Sequence, residues 1–325
     1  MMNATADTTY IISKVHALHD FLLKYDDYRE IVSTRSFRKI SPAASYTIEK
    51  DNYIAVKEAL FRNQIEKIIF LALINTSYRN LFRAFFFAFD AINIKQAAAH
   101  IFSRTPLTVQ WFNTAPFSSI SRDMLNGDLN AAELLQYLES IGIHAGPLYH
   151  RRGMYERIAS SIDAAVLTRF LEFGSELSPS QAKGYYDIIL RFYLITLRLW
   201  KRRLKYNYSW TDEQIEEHLA PVSSITHGSG KLGKITQQID SHLDVIIKKA
   251  GTALPHTAAQ LSSILMKACV RHSAKIYHSS FHSVSCVVSF LLLLYFQIHN
   301  IFRIVEGLRF LQTPESVLDG ILCEA

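Results

Sequence analysis

The chain has 325 residues, 49% of them apolar, with only 12 glycines and 8 prolines, and its formal net charge is +6. This balance excludes a turn-rich sandwich or barrel and favours long helices around a sizeable core, in one large domain or two to three small ones. The mild basic excess permits an acidic partner or a membrane-proximal surface and requires neither. Three irregularly spaced cysteines, Cys269, Cys286 and Cys323, suggest a reducing compartment without a disulfide framework. The N-terminal residues lack the basic-then-apolar pattern of a signal peptide.

In chain order, Ile11, Val15, Leu18 and Leu22 mark one face of a first amphipathic helix. Asn130 with Glu133 forms a capping-box pattern, and Gly142 supplies the stop. In the run SPSQ, Ser178 is a cap candidate, Pro179 takes the first helical position and Gln181 can reach back; this helix is expected to run to about Lys205. Thr211 with Gln214 repeats the box, Pro221 is expected to end that helix, and Thr313-Pro314 starts a last one. No run alternates with period two, so the expected fold class is all-α. Two stretches are strongly apolar: Ile68 to Phe89, interrupted by Arg79 and Arg83, and Val284 to Phe296. The second is shorter than the roughly 18 residues of a spanning helix, and burial inside a helical protein is expected for both.

The chain also repeats itself. FDAINIKQ carries Asp90, Asn93 and Ile94, and FQIHNIFR carries Gln297, Asn300 and Ile301. Both read polar-x-x-Asn-Ile on a long apolar run. Their midpoint falls in YLITLRLWKRR, where Tyr193 and Thr196 stand for the polar pair and Leu197 for the isoleucine, giving anchors about 104 residues apart. Thr105-Pro106, Thr211-Asp212 and Thr313-Pro314 follow the anchors as helix caps, and APFSSIS (Ala115 to Ser121) is echoed by APVSSIT (Ala220 to Thr226). The heptapeptides read as joints between three related helical units. A period this long exceeds that of a solenoid, so each unit is expected to be a small bundle, at 1–120, 121–225 and 226–325, with Asp90, Asn93, Thr196 and Asn300 organising the three lobes.

The stretch from Tyr295 to Leu322 resembles the C-terminal signature of the C/d family of V-type ATPase adaptors, which reads glutamate-x-x-Arg-Asn-Ile, then Gly, then a Pro-Glu-Glu helix. Asn300, Ile301, Gly307, Pro314 and Glu315 match, while Gln297 and His299 replace the glutamate and arginine. Tyr10 to Val32 is similar to the family's first helix, FDAINIKQ to its first Asp-x-x-Asn-Ile element, and LRLWKRRLKYNYSWTDEQIEEHLAP to its second. The series follows the family's order along nearly the whole chain, with departures at Tyr193, Thr196, Gln297 and His299. The resemblance implies a three-lobed funnel of pseudo-threefold symmetry and no catalysis. It implies a peripheral place on the cytoplasmic face of the membrane, without a transmembrane segment, between the central stalk subunits and the rotor ring proteolipid of an ATP-driven proton or sodium pump. It implies no cofactor, metal or small-molecule substrate. Arg202, Arg203, Arg303 and Arg309 are the candidate partner contacts.

Other motifs point elsewhere. Gly228, Gly233 and Lys234 meet most of a phosphate-binding loop, but Ile235 stands where magnesium needs a hydroxyl, and no strand precedes it. His278, His282 and Cys286 would share a helix face and have zinc-binding donors, yet no fourth ligand is near in sequence; a partly buried polar face is the plainer account. Arg198, Lys201, Arg202, Arg203 and Lys205 adjoin Tyr206, Tyr208 and Trp210, a mixture that can bind single-stranded nucleic acid. The alternative function is therefore a soluble helical scaffold that binds nucleic acid or protein through 198–210. The basic rim of an adaptor, or a solvated helix end, accounts for the same residues without nucleic acid. Ser118 and Ser223 lie in no nucleophile elbow.

Overall fold

The computed structural model describes residues 2–41, 48, 52–103, 110–122, 130–144, 154–226, 230–250 and 258–324. All regular structure among them is helical: α1 Met2–His19, α2 Tyr25–Thr34, α3 Tyr53–Ile74, α4 Arg79–Ser103, α5 Ala131–Ser140, α6 Met154–Ser175, α7 Pro179–Asn207, α8 Asp212–Thr226, α9 Lys231–Lys249, α10 Ala258–Ser279, α11 Val284–Arg309 and α12 Pro314–Asp319. The helices gather into two compact units, one of Met1–Arg79 with Ser263–Ala325, the other of Asn80–Ser262. The first unit is built from both ends of the chain, so the segments 1–120 and 226–325 of the repeat each contribute to it.

In the first unit α11 is the central element. It is apolar nearly all round, and a helix of that kind is stable in water only when surrounded; α3 and α1 pack on it, and α12 packs on α2. Among the described residues α11 is the one helix long and apolar enough to cross a membrane, and 89% of its apolar window is buried inside the protein. The other greasy stretch, Ile68 to Phe89, is divided between α3 and α4. Asn75 ends α3, and its side chain accepts the Tyr78 backbone N–H at 2.8 Å. In the second unit α7, the longest described helix, packs against α6, α8 and α9. Ile188, Leu190, Leu194 and Ile195 supply its deepest side chains.

The start signals read from sequence act as the physics of helix ends requires. Asn130 accepts the Ala132 and Glu133 N–H groups while Glu133 reaches back to the Asn130 N–H at 3.0 Å, and Gly142 follows with φ of 79°. Thr211 and Gln214 close the same reciprocal pair at 3.3 and 3.0 Å, and Thr313 accepts the Ser316 N–H. Ser178 precedes α7, but its hydroxyl donates to the Gln181 side chain at 3.1 Å and caps no backbone group. The expected cap at Thr105-Pro106 lies outside the described residues.

Three expectations are corrected. Helix α1 ends at His19, so Leu22 lies beyond it in a turn. Pro221 does not end its helix but sits inside α8. One face of that helix buries Ile215, Leu219, Val222 and Thr226, and this packing outweighs the backbone bond a proline cannot make. Finally, the two heptapeptides differ in conformation. APFSSIS is an irregular turn with a cis Ala115–Pro116 bond, whereas APVSSIT is the second half of α8. The reason lies one anchor upstream. Asp90 holds the first copy by its hydroxyls, while the matching position ahead of the second copy is Tyr193, which offers no carboxylate.

Candidate functional site

The two polar-x-x-Asn-Ile elements build the same local device. In the second unit, Asn93 on α4 donates its Nδ2–H to the Phe112 carbonyl at 3.0 Å and accepts the Phe112 N–H at 3.0 Å. In the first unit, Asn300 on α11 donates to the Leu322 carbonyl at 2.7 Å and accepts the Leu322 N–H at 2.9 Å. Each asparagine thereby clasps one backbone residue further along the chain, Phe112 in the segment after α4 and Leu322 in the segment after α12. An amide suits this role because it carries a donor and an acceptor side by side, matching one peptide unit. Both asparagines are buried, at 0% and 2% exposure, and Phe112 is buried with its clasp while Leu322 is half-buried.

The residue three positions earlier acts differently in the two copies. The Asp90 carboxylate accepts from the Thr114 hydroxyl at 3.1 Å and the Ser118 hydroxyl at 2.8 Å on one oxygen. On the other it accepts the Ser119 N–H at 2.6 Å and the Ser119 hydroxyl at 2.9 Å. Burial pushes this carboxyl above the usual carboxylate range, and the four donors pull against that. Gln297 instead accepts the Leu23 N–H and donates to Gln64 Oε1. Through this second bond the glutamine links α11 to α3. Thr196 makes no such clasp. Its hydroxyl returns to its own helix, donating to the Phe192 carbonyl at 2.9 Å.

The four candidate contact arginines fall in both units. Arg203 is exposed on α7, and the neighbouring Arg202 guanidinium lies 4.8 Å from the Tyr206 ring centroid. Arg303 is exposed on α11 beside Gly320. Arg309 is engaged within the first unit, 3.6 Å over the Tyr53 ring and 3.5 Å from the Glu306 carboxylate. Within the basic cluster, Arg198 pairs with Asp240 at 2.8 Å and Asp244 at 2.6 Å, and Lys205 pairs with Asp212 at 2.8 Å. These acids were the missed half of the cluster. Asp240 and Asp244, four residues apart on α9, are the signal in the sequence that could have found them.

Arg203 also lines a cavity of about 200 Å³ with Tyr155, Trp200, Tyr208, Trp210 and His218. The volume has room for one small ring. His218 is 6% exposed, stacks on Trp200 with centroids 5.7 Å apart, and has no hydrogen-bond partner on either ring nitrogen. Burial, with a contribution from Arg157, holds it down to about 4, so the ring is neutral at pH 7.

Two motifs lose their premises. Gly230 precedes α9 with φ of 89°, and Gly233 and Lys234 belong to the first helical turn, while Gly228 lies outside the described residues. Among the described residues no strand exists to carry a phosphate-binding loop. His278, His282 and Cys286 do not share a helix face: α10 ends at Ser279, a turn follows, and α11 begins at Val284. Cys286 is buried, its thiol pushed up to about 12, with the His16 ring 3.8 Å away. Compared with models of known protein families and with curated protein sequences, the chain matches none.

Proposed function

We propose that the chain is the stalk-to-ring adaptor of a V-type rotary ATPase, a non-catalytic coupling between the central stalk subunits and the proteolipid ring. The observation that carries this reading is the repeated clasp. Two sequence elements at one register of a long repeat, Asn93 and Asn300, make the same pair of hydrogen bonds to one backbone residue about 20 positions further along the chain. A similar side chain in a similar register making the same bond pattern supports descent from one duplicated unit, and the ordered resemblance extends the series to a third. On this reading the segments 1–120, 121–225 and 226–325 are three diverged lobes of a pseudo-threefold funnel. Diverged lobes suit the task, because a ring of many identical hairpins and a single shaft share no symmetry. Each neighbour must therefore meet a different patch. Torque also requires a stiff body, which dense helix packing supplies.

Arg202, Arg203, Arg303 and Arg309 are the proposed contacts to acidic side chains of the stalk or ring. The adaptor holds no cofactor and sits peripherally on the cytoplasmic face. The competing nucleic-acid reading is weakened by Arg198 and Lys205, whose charges are taken up by aspartates of the same unit. The test is purification of the tagged full-length chain from membranes of its own cells in mild detergent. The expected result is a stoichiometric complex containing stalk subunits and proteolipid. Isolation of an intact ring and stalk that lack this chain would overturn the proposal.

A further inference from the structure

Three side chains from distant parts of the sequence meet at one edge of the first unit. His19 closes α1, His278 lies in the last turn of α10, and Glu324 belongs to the C-terminal segment after α12. One Glu324 oxygen lies 3.1 Å from His19 Nε2 and the other 3.4 Å from His278 Nε2. One ligand atom from each residue lies within 4.8 Å of the others. The His19 ring is held flat against Tyr277, with centroids 3.9 Å apart and planes 9° apart. Tyr277 is fixed in turn by a 2.8 Å hydrogen bond between its hydroxyl and His16 Nδ1. This backing leaves His19 Nε2 pointing at the carboxylate.

We propose that His19, His278 and Glu324 form a binding site for a divalent ion of the zinc class, with water as a further ligand. Two imidazoles and one carboxylate are a donor set zinc takes with an open fourth position. Zinc-to-ligand bonds of about 2.0–2.2 Å set tetrahedral ligand atoms roughly 3.3–3.5 Å apart. The two carboxylate contacts, 3.1 and 3.4 Å, lie near that spacing but on different oxygens, so ligation through one oxygen takes a rotation of the Glu324 carboxylate. The remaining closure falls to His278, whose side chain is 56% exposed and free to swing. On binding, each neutral ring carries its one proton on Nδ1 and gives its Nε2 lone pair to the ion, so the contacts to Glu324 are exchanged for bonds to metal. The ion ties the C-terminal segment to α1 and α10, joining residues 305 positions apart in sequence. The site differs from the set His278, His282 and Cys286 that helical spacing suggested. Only His278 is common to both, because the turn after Ser279 carries His282 away.

The test uses the full-length chain stripped with chelator and then titrated with cobalt(II) as a spectroscopic probe, and with zinc in thermal unfolding. The expected result is one equivalent of cobalt with the intense visible absorption of a low-coordinate site, and a raised Tm with zinc. His278→Ala and Glu324→Gln are expected to weaken cobalt binding by at least about tenfold and to abolish the zinc shift, while His282→Ala behaves as wild type. Absence of the cobalt band in wild type, or its persistence in His278→Ala, overturns the proposal. His278 is exposed, so its replacement leaves the folded unit intact; an unchanged unfolding curve without metal verifies this.

Discussion

At the scale of single residues, the clasps make a graded prediction. Asn93→Ala removes two hydrogen bonds to the buried Phe112 backbone, and Asn300→Ala removes two to the half-buried Leu322 backbone. A hydrogen bond contributes about 0.5–1.5 kcal/mol, so losing two is expected to destabilise by about 1–3 kcal/mol at each position. Thr196→Ala removes only a hydroxyl bonded to its own helix, and its expected effect is under about 0.5 kcal/mol. Urea unfolding of the three variants checks the ordering. Equal losses at all three positions would mean that Thr196 organises its surroundings as the asparagines do. The replacement of Asp90 by Tyr193 at the middle anchor belongs to the same logic. Where the carboxylate is kept, four donors from Thr114, Ser118 and Ser119 gather on it in an irregular segment. Where it is lost, the corresponding sequence stays helical.

At the scale of elements, close helix approach depends on two glycines. A methyl group at Gly307 on α11 would collide with a Val317 methyl on α12, and one at Gly174 on α6 with the rings of Tyr186 and Tyr185 on α7. Val317 and Tyr185 are buried, and the Tyr185 hydroxyl is held by the Phe170 carbonyl at 2.8 Å, so neither can step aside. Alanine improves helix propensity by up to about 1 kcal/mol, but overpacking costs about 1–3 kcal/mol. Gly307→Ala and Gly174→Ala are therefore expected to lower Tm. Gly320→Ala is the contrast. There the added methyl meets only the tip of the exposed Arg303 side chain, which can move, so a near-neutral result is expected. Legibility from sequence followed the range of the interaction. Asn130 with Glu133 and Thr211 with Gln214 were readable because a cap is decided within four residues. Pro221 was misread because the burial of Leu219 and Val222 that overrides it comes from α6 and α7, far away in sequence. The same holds for the candidate site. The Asn93 and Asn300 register was visible as a repeat, but nothing local to His19 points to Glu324.

At the scale of the whole molecule, each compact unit holds a histidine, among the described residues, that its surroundings keep neutral. In the first unit it is His299 on α11, held down to about 4 by burial, with Lys57 adding to the effect, and its Nε2 has no hydrogen-bond partner. In the second it is His218, also down to about 4. An unfolded histidine takes its proton near 6.5, whereas these two refuse it until pH falls to about 4. Between those values the unfolded chain binds more protons than the folded one, so stability falls as pH drops through that window. Above it the contribution is fully present. Asp90 works in the opposite sense, since burial raises its carboxyl and folding then favours its protonated form. Glu324, held below the ordinary carboxylate range first by its hydrogen bond to His19, loses its contribution only at lower pH still. The expected result is a Tm that is flat above about pH 6.5 and declines toward pH 4. His218→Phe keeps the ring that packs between Trp200 and Trp210 and removes both unpaired nitrogens. It is expected to raise Tm at pH 5 more than at pH 7. A parallel shift at both pH values would show that His218 responds through packing alone, with no proton linked to folding.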